Sequence, residues 1–105
     1  MTQIPFQITD RALAEIVEIF EHKNIPPSYG LRIGIRGGGC GAGGFFVGFD
    51  QLQEGDLQWQ LGTVKVLVEK RQLLYVMDLT LDFEERHDER GFVFHSSLNR
   101  QKNWI

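Results

Sequence analysis

Residues 31–50 read LRIGIRGGGCGAGGFFVGFD, and this stretch, Leu31 to Asp50, organises the rest of the chain. Leu31, Ile33 and Ile35 alternate with Arg32, Gly34 and Arg36, the period-two pattern of a strand with one buried face. Phe45 to Phe49 reads as a second strand. Between them, Gly37 to Gly44 holds six glycines in eight residues and, at Cys40, the chain's only cysteine. Glycine tolerates positive φ and close backbone approach, at an entropic cost on folding. A two-residue hairpin turn does not need so many. Such a loop fits a backbone that wraps closely around something, or one that moves.

Upstream, the period is helical. Leu13, Ile16, Val17 and Phe20 recur at i, i+3, i+4 and i+7. Thr9 is placed to cap this helix and Asp10 suits the positive end of its dipole. Asn24 followed by Pro26-Pro27 stops it, because proline cannot continue a helix. Downstream, Leu57, Trp59 and Leu61 form a third strand, and Val64, Val66 and Val68 a fourth after a Gly62-Thr63 turn. Arg71 to Tyr75 suits a short helix. Met77, Leu79, Leu81 and Phe83 alternate with Asp78, Thr80 and Asp82 as a long strand, and Phe92 with Phe94 marks a last one. The charged run Glu84 to Arg90 between them reads as a solvated hairpin end. The expectation is an α+β fold, one N-terminal helix followed by a mostly antiparallel β structure, as a single domain over residues 1–105. No strand–helix alternation supports a doubly wound sheet.

Composition narrows the function classes. With 105 residues and 42% hydrophobic content including eight Phe, the chain can bury one core. A net charge of −3, a pI near 5.5 and scattered Lys and Arg argue against nucleic acid as a partner. The longest apolar run, Leu73 to Met77, is too short to cross a bilayer, and no signal peptide is expected. One cysteine forms no internal disulfide, which fits the cytosol.

The glycine loop admits several chemistries. A phosphate cradle of the Walker type needs Lys and Ser or Thr after the glycines, and neither follows. A dinucleotide fingerprint needs a helix there, where Phe45-Phe46-Val47 reads as strand. Cys40 remains as a reactive thiol beside Arg36 and the loop's N–H groups, as a soft ligand for iron–sulfur or zinc, or as an inert buried cysteine.

Beyond the loop, Val64-Lys65-Val66-Leu67-Val68, Leu79-Thr80-Leu81-Asp82-Phe83 and Gly91-Phe92-Val93-Phe94 follow in order. Together with residues 31–50 these segments resemble the HesB/IscA-type iron–sulfur carriers, collinearly over residues 8 to about 97. The resemblance implies a HesB-like domain in which Cys40 holds the position of the first ligand cysteine. It also implies iron or a [2Fe–2S] cluster as cofactor, a homodimer, iron–sulfur assembly or acceptor proteins as partners, and no enzymatic activity. The family's usual Ser-Gly-Cys-x-Gly departs here to Gly38-Gly39-Cys40-Gly41-Ala42, and its C-terminal Cys-Gly-Cys is absent; the chain ends in Trp104-Ile105.

A [2Fe–2S] cluster takes four ligands, normally thiolates. Each chain offers one and a dimer two, so small thiols, histidine or a partner must complete the set. His95, expected just after the last strand, is the histidine best placed to contribute; His22 and His87 receive no role. The leading expectation is therefore an iron–sulfur biogenesis protein binding iron or a cluster transiently through Cys40. The alternatives are a binding or regulatory module that has lost the cluster, and a reactive-thiol protein using Cys40.

Overall fold

The computed structural model describes residues 4–36, 44–96 and 102–104. Cys40, on which the sequence reading turns, lies outside the described residues, as do Ile105 and the side chain of Trp104.

The helix α1 (Asp10–His22) begins where Thr9 accepts a hydrogen bond from the Ala12 amide at 3.1 Å. It buries Ala12 and Ile16 and ends before Asn24, whose φ of 52° turns the chain. Its apolar stripe supplies Leu13, Val17 and Phe20 to the core periphery.

Among the described residues, eight strands form two four-stranded sheets. One has the order β3 (Gly44–Gln51), β2 (Tyr29–Arg36), β5 (Val64–Glu69), β4 (Asp56–Leu61). The other runs β1 (Gln7–Ile8), β6 (Leu79–Arg86), β7 (Glu89–Ser96), β8 (Lys102–Trp104). Neighbours are antiparallel except β1 with β6 and β2 with β5. The fold is α+β.

Register aligns the apolar faces. Leu31 and Ile33 stand opposite Phe49 and Val47 on β3, and Leu31 opposite Val66 on β5. Leu81 and Phe83 stand opposite Phe94 and Phe92. These residues join Ala12 and Ile16 in one hydrophobic cluster, with Phe20 edge-on to Phe49 at 5.0 Å and Phe6 edge-on to Trp59 at 5.8 Å. Gly62, at φ +61°, makes the β4–β5 turn that the sequence placed there.

Three expectations change. β6 begins at Leu79 because Asp78 takes a left-handed φ of 65°, which removes Met77 from the strand. The strands around the charged run extend inward to Arg86 and out again from Glu89, so only His87 and Asp88 form the turn. β7 is followed by β8, which pairs Val93 with Trp104, Phe94 with Asn103 and His95 with Lys102. Sequence alone missed β8 and β1, since two or three residues give no readable period.

Among the described residues, no helix is long and apolar enough to cross a membrane.

Candidate functional site

The β2–β3 hairpin pairs in continuous register from Tyr29↔Gln51 to Arg36↔Gly44. Residues 37–43, with Cys40 among them, therefore join two strand ends that are fixed side by side. What holds those ends follows from the sheet. β5 pairs with β2 only at Leu31 and Arg32, which leaves the far half of that edge without a strand partner. Gln72, in the 3-10 turn Lys70–Gln72 ahead of α2 (Leu73–Val76), takes over. Its Oε1 accepts from the Ile35 amide at 3.1 Å and its Nε2 donates to the Ile35 carbonyl at 3.3 Å, a side-chain imitation of a strand neighbour. Gly34 makes room for it: a Cβ there would meet the Gln72 carbonyl oxygen and lie 2.9 Å from the Phe46 ring.

Replacing Gln72 by Ala strips partners from both Ile35 groups. We expect a loss of about 1–2 kcal/mol in urea unfolding at unchanged m. An unaltered midpoint would mean that water serves Ile35 equally well.

The other strand end is anchored by rings. Phe45 packs on Phe94 with centroids 5.5 Å apart, and the Arg36 guanidinium lies 4.8 Å from the Phe46 centroid. Phe94 immediately precedes His95. The root of the Cys40-bearing segment thus meets the part of β7 from which residues 97–101 lead to β8.

His95 itself is inside β7, opposite Thr80, and not beyond the strand as the sequence suggested. Register puts Thr80, Asp82, Glu84, Val93 and His95 on the sheet face turned away from Leu81 and Phe94. There His95 Nε2 lies 3.6 Å from Glu84 Oε2, and one ligating atom each of Asp82, Glu84 and His95 fall within 4.8 Å of one another. Asp82 is firmly held. Its Oδ1 accepts from the Thr9 hydroxyl at 2.6 Å and the Phe83 amide at 2.8 Å, and its Oδ2 from Arg11 at 2.9 Å. Burial pushes the Asp82 carboxyl up, but the Thr9, Phe83 and Arg11 hydrogen bonds outweigh it and hold the group below its ordinary value. It is a carboxylate at neutral pH.

His22 ends α1 on the surface, its Nδ1 3.0 Å from the Glu18 carbonyl oxygen, and His87 sits in the exposed β6–β7 turn. Neither approaches the Asp82 group. Sequence reasoning found His95 but missed Asp82 and Glu84 as its neighbours, and it missed Gln72 as the partner of Ile35. The signal for the first two was present, since Asp82 and Glu84 occupy alternate positions that point away from the core.

No protein-family model matches the chain. Among curated proteins, it is 37% identical over 94 residues to the iron-sulfur cluster insertion protein ErpA of Actinobacillus pleuropneumoniae, covering 87% of this chain and 80% of that one. Among solved structures, Escherichia coli SufA, involved in biosynthesis of iron-sulfur clusters, superposes with a TM-score of 0.73 at 18% identity, covering 98% and 96% of the two chains. IscA with the [2Fe-2S] cluster gives a TM-score of 0.67 at 18% identity, over 88% and 82%. The structural likenesses establish the fold and the sequence relative establishes kinship: the chain belongs to the HesB/IscA-type (A-type) iron–sulfur cluster assembly family.

Proposed function

We propose that this protein serves iron–sulfur cluster biogenesis as a carrier, holding iron or a [2Fe–2S] cluster transiently as cargo through the Cys40 thiolate. The observation that carries the reading is the 37% identity to an iron-sulfur cluster insertion protein over 87% of the chain. The whole chain acts as one HesB-like unit, a view supported by the hydrophobic cluster that, among the described residues, joins α1 to both sheets. Its partners are a second copy of itself and the assembly or acceptor proteins that load and unload it. The lone cysteine, which forms no disulfide within the chain, suits work in the cytosol.

The donor set defines what such a carrier does. Each chain brings one thiol, so a symmetric pair supplies two of the four ligands a [2Fe–2S] cluster takes. Small thiols, histidine or a partner protein complete the remaining positions. Cys40 loses its proton on binding iron, so loading rises with pH through the thiol's titration. Half of the ligands being exchangeable favours release, which delivery requires. The role is that of a carrier, with no bond of a substrate made or broken by the protein.

A second reading is favoured by the missing Cys-Gly-Cys: a family fold that docks partners without a cluster. Anaerobic incubation with iron, sulfide and a small thiol separates the two. The wild type should develop sulfide-to-iron absorption in the visible region, and Cys40→Ser should remain colourless. A colourless wild type would replace the carrier by the docking module; equal colour in both proteins would remove Cys40 from the site.

A further inference from the structure

The geometry points to a second, cysteine-independent site on the outer face of β6 and β7, where Asp82, Glu84 and His95 bind a divalent first-row transition ion of the zinc or ferrous type. One imidazole with two carboxylates is a donor set for such ions, whereas magnesium and calcium select oxygen alone. The ligating atoms already lie within 4.8 Å of one another, with His95 Nε2 3.6 Å from Glu84 Oε2. Around one ion at bond lengths of 2.0–2.2 Å, neighbouring ligand atoms stand roughly 3–3.5 Å apart. The movement needed is at most about 1–2 Å. Glu84 and His95 can supply it by side-chain rotation, their side chains being 19% and 38% exposed.

Asp82 does not need to move. The Thr9 hydroxyl and the Phe83 amide occupy its Oδ1 and fix its plane, the kind of support that ligand carboxylates receive in metal sites. Oδ2 takes one bond, from Arg11, and keeps a lone pair for an ion. All three donors stand on adjacent antiparallel strands, so the backbone spacing between them is fixed by the ladder. The opposing charges are also defined. Arg11 lies 2.9 Å from Asp82 and Arg86 3.7 Å from Glu84, and each works against a cation at the site. Water completes the coordination sphere on the exposed side.

The site uses no thiol and so does not depend on Cys40, and the test is made on the full-length Cys40→Ser protein. Zinc titration by calorimetry should give one ion per chain with a micromolar Kd, and cobalt should give a d–d spectrum. His95→Gln and Glu84→Gln, both close in size to the native side chains, should each weaken binding at least tenfold. The metal-free melting temperatures of both variants should match the parent's. Arg11→Gln should tighten binding about fivefold by removing a neighbouring positive charge. The double variant His22→Gln/His87→Gln should bind as the parent does. Absence of zinc binding by the Cys40→Ser protein overturns the assignment. Parent-like affinity in both His95→Gln and Glu84→Gln overturns it too, as does loss of binding in the His22/His87 double variant.

Discussion

Phe94→Ala should cost about 3–5 kcal/mol of folding stability, because Phe94 is the largest fully buried side chain among the described residues. It stands opposite Leu81 across the ladder and meets Phe45 of the other sheet at 5.5 Å. Truncation removes ring contacts from both sheets at once, and neither strand can close the gap without breaking register. A domain of this size has about 5–15 kcal/mol in total, so the variant would be marginal at room temperature. Urea unfolding should show the midpoint falling at unchanged m. Phe46→Ala is the internal contrast: it lies on the opposite face of β3, half-buried beside Arg36, and should lose only about 1 kcal/mol. A loss below about 1 kcal/mol for Phe94→Ala would contradict its place between the sheets.

Asp56→Ala should lose about 3 kcal/mol, because it leaves an enclosed guanidinium short of its main partner. Arg32 projects from the outer face of β2 with its side chain 13% exposed, and Asp56 is 2% exposed. Their contact is bidentate: Nη1 to Oδ1 at 2.8 Å and Nη2 to Oδ2 at 2.6 Å. Asp56 also accepts from the Gln53 amide at 2.8 Å, which ties the β3–β4 connection to the same carboxylate. Asp50, 2.9 Å from Arg32 Nε but 39% exposed, is screened by water, and Asp50→Ala should cost about 1 kcal/mol or less.

The same pair shapes the pH dependence. The Arg32 hydrogen bonds hold the Asp56 carboxyl below the ordinary aspartate value of 3.8 against the opposing effect of burial, and Asp82 is likewise lowered. A carboxyl depressed in the folded state contributes stability in full above its unfolded pKa, and loses it as pH falls through the lowered folded value. Wild-type stability should therefore decline as pH drops below about 4, and Asp56→Ala should decline less steeply over the same range. Parallel acid limbs for the two proteins would remove Asp56 from the linkage.

Much of this molecule is legible in its sequence because burial imposes a period on each element. The stripe Leu13, Ile16, Val17 and Phe20 had to be a helix face. The alternations at Leu31–Ile35, Leu57–Leu61, Val64–Val68 and Leu79–Phe83 had to be strands with one side in the core. Kinship was legible too, since four collinear segments resemble one family and the 37% identical relative belongs to it. Cys40 stood out by composition alone, as the only thiol in the chain.

Pairing, by contrast, depends on contacts between residues far apart in the chain, which no local pattern encodes. Only the tertiary structure set β1 parallel to β6, added β8 beside β7, and moved His95 from beyond a strand to within it. It alone brought Gln72 to Ile35 across 37 positions, and Thr9 to Asp82 across 73. The Asp82, Glu84 and His95 group arises in the same way. Alternation turned each residue away from the core, but only the pairing of β6 with β7 brought His95 onto the same face within reach of Asp82 and Glu84.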